Sequence, residues 1–137
     1  MIKGFSHVGI NSKDVGNSIK FYCDILGLKR GKSVDMGEVI LHYLILNDES
    51  TIELFEYKDK GYYNRLNYDE GAVPHFAFMT DNIEEVNSRL IENNIEMTMQ
   101  LCVLEPLACK ALLCKDPDGA IVEITQPIEG VYVKSYL

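Results

Sequence analysis

One pattern is written twice along this chain. His7 in FSHVGIN is followed 46 residues later by Glu53 in TIELFEY, and His75 in VPHFAFM is followed 48 residues later by Glu123 in AIVEITQ. The two histidines stand 68 residues apart and the two glutamates 70. Each half therefore carries one His near its start and one Glu near its end. A fold for such a chain has to use the same unit twice. Two imidazoles and two carboxylates also make a full ligand set for one divalent metal ion.

Local patterning agrees with the duplication. Residues 2–10 read as an apolar strand that ends at Asn11-Ser12. Val15, Ile19, Tyr22, Cys23 and Leu26 then recur at helical spacing, with Asp14 placed to cap and Gly27 placed to stop the helix. Strands follow near 30–36, from Val39 to Leu46 and from Thr51 to Tyr57, with Asn47-Asp48-Glu49 as the turn between the last two. In the second half, residues 73–80 read as a strand, and Ile83, Val86 and Leu90 share one face of a helix. Asp81 with Glu84 resembles a capping arrangement, and Asn93-Asn94 suits the exit. Strands near 95–101, 108–114 and 119–126 complete the copy, punctuated by Glu105-Pro106 and Asp116-Pro117-Asp118-Gly119. Both halves run strand, helix, three strands. Segment 58–72, with Gly61, Tyr62, Tyr63, Arg65, Tyr68 and Gly71, has no clear period and is read as a linker, its tyrosines packing a long connection against the body.

Strand alternation gives the four residues a common setting. Residues two apart on a strand share a face. Glu53 therefore faces with Phe55, and Ile52 and Leu54 oppose it. Glu123 faces with Ile121 and Thr125, opposite Val122 and Ile124. His75 faces with Ala77 and Met79, opposite Phe76 and Phe78, and His7 faces with Gly9 and Asn11, opposite Val8 and Ile10. Bulky apolar residues thus form the side suited to a covering helix, and small or mixed residues the side suited to a cavity. An ionised Glu among apolar neighbours is costly unless a cation compensates it. Taken singly, a strand-end His is ordinarily a hydrogen-bonded structural residue and a strand Glu ordinarily edges into solvent. The shared register is what marks these four. His42, in VILHYLIL, has no counterpart in the second half and is expected to be structural.

Composition narrows the classes. At 137 residues with 47% hydrophobic and 25% charged side chains, the chain is one globular domain's worth. A net charge of −8 argues against nucleic acid or an anionic membrane as partner, since both need clustered Lys and Arg. Cys23, Cys102, Cys109 and Cys114 form no Cys-x-x-Cys knuckle and read as small core residues. MIKGFSH is too short and polar for a signal peptide, and no apolar run approaches a membrane span, so a reduced, cytoplasmic compartment is expected.

The stretches FSHVGINSKDVGNSIKFYCDILGLKRG, TIELFEY, VPHFAFMTDNIEEV and CKDPDGAIVEI resemble the vicinal oxygen chelate superfamily, the group of glyoxalase I, bleomycin resistance proteins and extradiol dioxygenases. They cover nearly the whole chain apart from the linker and the tail. The resemblance implies an α+β fold of two tandem βαβββ modules, with curled mixed sheets forming a metal-binding cavity. It implies one domain over 1–137, with module one at 1–57, linker 58–72, module two at 73–127 and tail 128–137. It also implies that His7, Glu53, His75 and Glu123 are the metal ligands, in an order most like glyoxalase I (lactoylglutathione lyase), and that the chain is a homodimer. Glyoxalase I of the bacterial type carries Arg four residues after its first ligand His, where this chain has Asn11. It carries Asn four residues after the second ligand, where this chain has Tyr57. The glycine-rich segment before the DPDG strand is replaced by glycine-free LCVLEPLACK.

Nitrogen and oxygen donors of this kind suit Zn²⁺, Ni²⁺, Co²⁺, Fe²⁺ or Mn²⁺. The function expected is a divalent-metal-dependent, glyoxalase I-like lyase or isomerase that shuttles a proton between adjacent carbons of a small oxygenated substrate, with a thiol adduct as the family default. Resemblance makes Glu123 the first choice of base and Glu53 the second. Alternatives are an epimerase working beside a thioester carbonyl, a thiol transferase of the same superfamily, or a non-catalytic antibiotic- or ligand-binding protein. Ring-cleaving dioxygenases use three ligands around iron, and a fourth carboxylate counts against them.

Overall fold

The computed structural model describes residues 6–47, 50–63 and 75–128. The chain divides into two compact units, Met1–Asp69 and Glu70–Leu137. In the first, β1 (His7–Asn11) leads through α1 (Val15–Ile19) and a π-helical turn (Lys20–Ile25) to β2 (Lys29–Asp35), β3 (Val39–Ile45) and β4 (Thr51–Tyr57). A short α2 (Lys60–Tyr63) follows, inside the stretch expected to be irregular linker. The second unit runs β5 (Phe76–Met79), α3 (Ile83–Glu92), β6 (Met97–Leu104), a 3₁₀ turn (Glu105–Leu107), β7 (Cys109–Lys115) and β8 (Ile121–Pro127). Expected strand residues 2–5 and 73–74, the rest of the linker beyond Tyr63, and all of the tail except Ile128 lie outside the described residues.

Each unit forms one four-stranded mixed sheet, in the order β1-β4-β3-β2 and β5-β8-β7-β6. The first strand pairs parallel to the last, and the other pairings are antiparallel. This is an α+β fold of two βαβββ modules. The apolar side of each sheet carries the core as the alternation requires. Ile10, Leu44, Ile52 and Leu54 are buried with Phe21, Tyr22 and Ile25 in one unit, and Leu112, Cys114, Val122 and Ile124 with Ile83 and Leu90 in the other. Burying each such side chain contributes about 1.5–3 kcal/mol.

Two local features differ from the pattern reading. Asp14 does cap the first helix, accepting from Asn17 N at 3.1 Å, but the helix widens into a π turn after Ile19. The wider turn buries Phe21, Tyr22 and Ile25, while Cys23 and Leu26 stay half-buried. Gly27, at φ +81°, then lets Leu28 N reach back to Tyr22 O at 2.9 Å. In the second unit the cap is Asn82, not Asp81. Asn82 Oδ1 accepts from Glu85 N, and Glu85 Oε2 accepts from Asn82 Nδ2. The frame moves by one because Ile83 is buried, and its N–H goes to Gln126 Oε1 at 2.8 Å. Glu84 pairs instead with Lys110.

Candidate functional site

The parallel pairing of first and last strands gives the His–Glu spacing its physical meaning. In the first unit Gly9 is in register with Glu53, and in the second Ala77 is in register with Glu123. Each histidine lies two residues before that partner, so it shares the face of the glutamate and sits diagonally from it. His7 Nε2 is 3.7 Å from Glu53 Oε2, and His75 Nε2 is 3.1 Å from Glu123 Oε2. Exposure repeats as well: the imidazoles are 46% and 42% exposed, the carboxylates 11% and 16%. Each unit thus holds a recessed carboxylate beneath a half-open imidazole.

Among the described residues no group of three or more His, Cys, Asp or Glu side chains gathers closely enough to hold a metal ion. Each unit brings two donors. With metal–ligand bonds of about 2.1 Å, adjacent ligands of one ion stand roughly 2.9–3.4 Å apart. The 3.1 Å separation of His75 and Glu123 lies inside that range and the 3.7 Å of His7 and Glu53 just beyond it. Ser6 Oγ lies 3.2 Å from His7 Nδ1, engaging the ring nitrogen turned away from the glutamate. The donors present fit a divalent ion of the Zn-to-Mn group.

Tyr43 is a site residue that strand parity alone did not reveal. It is in register with Glu53 across β3 and β4, and its phenol hydrogen-bonds that carboxylate. Burial first, then the charge of Glu53 and the hydrogen bond to it, push the phenol above its ordinary range. In the second unit Leu113 stands in register with Glu123, so the two pairs differ by one hydroxyl. Phe55 shares the Glu53 face, and its ring lies over Gly9, where an added Cβ would come within 2.8 Å of Phe55 Cε2. Tyr57 continues this aromatic row, with ring centroids 6.4 Å from Phe55 and 4.6 Å from Tyr62.

Beyond β7, Asp116 is buried and fixes the turn that launches the Glu123 strand. Its Oδ1 accepts from Asp118 N at 2.9 Å and Ala120 N at 2.8 Å, and Gly119 turns at φ +90°. The glycine-free stretch 101–110 meets its own turn differently, with Ala108 left-handed at φ 49°. All four cysteines are free thiols, Cys109 and Cys114 buried and Cys23 and Cys102 half-buried. Burial, with the Asp116 charge second, pushes the Cys114 thiol up to about 12, so it stays protonated and is no thiolate donor. No helix among the described residues is long and apolar enough to cross a membrane.

The family model for the Glyoxalase/Bleomycin resistance protein/Dioxygenase superfamily matches residues 4–124, which include all four His and Glu positions. The chain belongs to this superfamily. Among curated relatives of the superfamily chain, the uncharacterized protein YwbC of Bacillus subtilis (strain 168) is 30% identical over 130 residues, covering 92% of this chain and 99% of that protein. Among solved structures, a glyoxylase/bleomycin resistance protein/dioxygenase domain from Frankia sp. EAN1pec aligns over 98% of both chains with a TM-score of 0.79 and 21% identity. The trypanothione-dependent glyoxalase I of Leishmania major aligns over 91% of this chain and 87% of its own, with a TM-score of 0.74 and 20% identity. These superfamily structures share the fold with this chain.

Proposed function

We propose that this superfamily member is a divalent-metal-dependent lyase or isomerase of the glyoxalase I type, with His7, Glu53, His75 and Glu123 holding the ion. One observation carries the reading: the same imidazole–carboxylate pair stands at the same strand register in both modules. The two pairs come from one chain or from the two copies of a homodimer, as resemblance to glyoxalase I implies. A bound dication supplies Lewis-acid stabilisation to a substrate with two neighbouring oxygens.

The protein's own share is proton movement and exclusion of water. A recessed carboxylate beside the reacting carbons takes a proton from one and returns it to its neighbour. Glu123 is assigned that role. Glu53 is tied to the Tyr43 hydroxyl, whereas the residue in register with Glu123 is Leu113, which has no hydroxyl to offer. Phe55, Tyr57 and Tyr62 offer apolar and aromatic surface beside Glu53. With Asn11 and Tyr57 at the positions where bacterial glyoxalase I carries Arg and Asn, the chain lacks the Arg that helps hold glutathione there, and the aromatic row favours a less charged substrate.

Protein loaded with Ni²⁺ or Zn²⁺ tests this against methylglyoxal with several thiols, acyl-CoA epimers and fosfomycin, with solvent deuterium incorporation as the readout of proton transfer. E123Q is expected to abolish incorporation and E53Q to reduce it. Failure of the purified protein to bind any divalent ion, or turnover that persists in the double variant, refutes the assignment. The same aromatic row supports a second reading, a ligand-binding protein without chemistry. That reading predicts tight binding of an aromatic antibiotic that survives removal of metal.

A further inference from the structure

A second constellation lies on the helix-covered side of the first sheet, the face opposite His7 and Glu53. His42 is in register with Leu54 on β4 and with Ser33 on β2, the edge strand. Ser33 Oγ is 2.8 Å from His42 Nδ1, and His42 Nε2 is 2.9 Å from Glu56 Oε2. Lys60 Nζ holds the other carboxylate oxygen, Glu56 Oε1, at 3.1 Å. The imidazole is buried, while Ser33 is exposed.

The protonation pattern follows from the partners. The hydrogen bond from His42 first, and that from Lys60 second, hold the Glu56 carboxyl below its ordinary range. An ionised acceptor at Nε2 keeps the ring proton on that nitrogen, so Nδ1 offers a lone pair and the Ser33 hydroxyl donates to it. Hydroxyl, base and orienting carboxylate therefore stand in sequence, each within hydrogen-bond reach of the next.

The duplication supplies a control. At the positions equivalent to His42 and Glu56, the second unit carries Leu112 and Gln126. Leu112 is buried core and Gln126 caps α3. The fold is thus built without this relay. Replacing a buried polar or ionic cluster by an apolar side chain is frequently neutral or stabilising, so packing alone does not call for it.

We propose that Ser33 is an activated nucleophile, a second reactive centre that accepts acyl groups from activated carboxylic esters. Ser33 Oγ bonds to the ester carbonyl carbon as its proton passes to His42 Nδ1. The bond from that carbon to the leaving oxygen then breaks, and the departing alcohol takes the proton from His42. Water repeats the sequence, releasing the acid and restoring Ser33. No redox partner and no metal take part.

The test uses the full chain, treated with EDTA, with a fluorophosphonate probe for labelling and p-nitrophenyl acetate for turnover. The expected result is one phosphonyl adduct, mapped by peptide mass to Ser33 and lost in S33A. H42L and E56Q carry the residues native to the second unit, and both are expected to melt cooperatively. Labelling should slow at least about a hundredfold in H42L, the usual loss with a general base, and less in E56Q. H42N serves in place of H42L if the latter does not fold. A folded wild-type protein that takes no label overturns the proposal. So does an adduct on another residue, or unchanged labelling in the folded His42 variant.

Discussion

Replacing Asp116 by Ala should destabilise the second unit through two identifiable hydrogen bonds. Oδ1 accepts from Asp118 N at 2.9 Å and Ala120 N at 2.8 Å, and the residue is 4% exposed. A hydrogen bond to a charged acceptor contributes about 1.5–3 kcal/mol, and a buried N–H left without partner costs about 1–3 kcal/mol. Both bonds end on one oxygen and share one turn, so they do not add in full, and roughly 2–4 kcal/mol is expected for D116A. Unfolding entropy of about 2.1 cal/mol/K per residue converts 3 kcal/mol to a fall of roughly 10 °C in Tm for a chain of 137 residues. D116N keeps a neutral acceptor and should lose about half as much. Thermal melts followed by circular dichroism, with urea titration as a check, measure both. A fall under about 2 °C for D116A, or equal losses for the two variants, would refute the reasoning. Because Ala120 directly precedes β8, D116A should also weaken divalent metal binding through Glu123.

Four further outcomes are expected. Y43F should lower Zn²⁺ affinity by roughly 10–100-fold in a competition titration, the usual cost of losing a residue that orients a ligand, whereas L113A should change it little. A108G should stabilise by about 0.5–1 kcal/mol in urea unfolding, since left-handed backbone costs an L-residue about 1–2 kcal/mol and the added chain freedom of Gly returns part of that. G9A should destabilise by about 1–3 kcal/mol through the 2.8 Å approach to Phe55 and should weaken metal binding with it. The depressed carboxyl of Glu56 contributes stability that is fully present above its ordinary value of 4.5 and is lost as pH falls through the folded value below it. Because that side chain is partly open to solvent, the gain is under about 1 kcal/mol, and acid titration of E56Q should show a correspondingly shallower loss.

What could be read in advance was whatever depends on one strand at a time. Alternation placed Ile52, Leu54, Val122 and Ile124 in the core and turned Glu53 and Glu123 the other way, because side-chain direction along a strand has a fixed period. Repeat spacing paired each His with its Glu because both copies use the same parallel register. What escaped depends on neighbours. Tyr43 meets Glu53 only through the β3–β4 register, although counting outward from position 48 would have matched 43 with 53. Ser33 reaches His42 past a register shift between Arg30 and Ser33, which resets the alternation on β2 and leaves no trace in the pattern. The π turn and the Asn82 cap were set by which side chains the sheet could bury, a tertiary condition that helical spacing does not contain.

The duplication also separates what the fold requires from what this chain has added. Features present in both copies, the parallel strand pair and the His–Glu diagonal, are properties of the module. Features present once have to be explained by something other than folding, since the second copy folds without them. Three of them stand at equivalent positions of the repeat: Tyr43 for Leu113, His42 for Leu112, and Glu56 for Gln126. All three put a polar group where the second copy keeps an apolar or uncharged one, and all three lie on β3 and β4. Burying polar groups is costly unless they are paired, so their concentration on two neighbouring strands of one module goes beyond what the repeated fold requires. On one face that surplus ties Glu53 to the Tyr43 hydroxyl, the contrast on which the proposed choice of Glu123 as base rests. On the other it aligns a serine with a base.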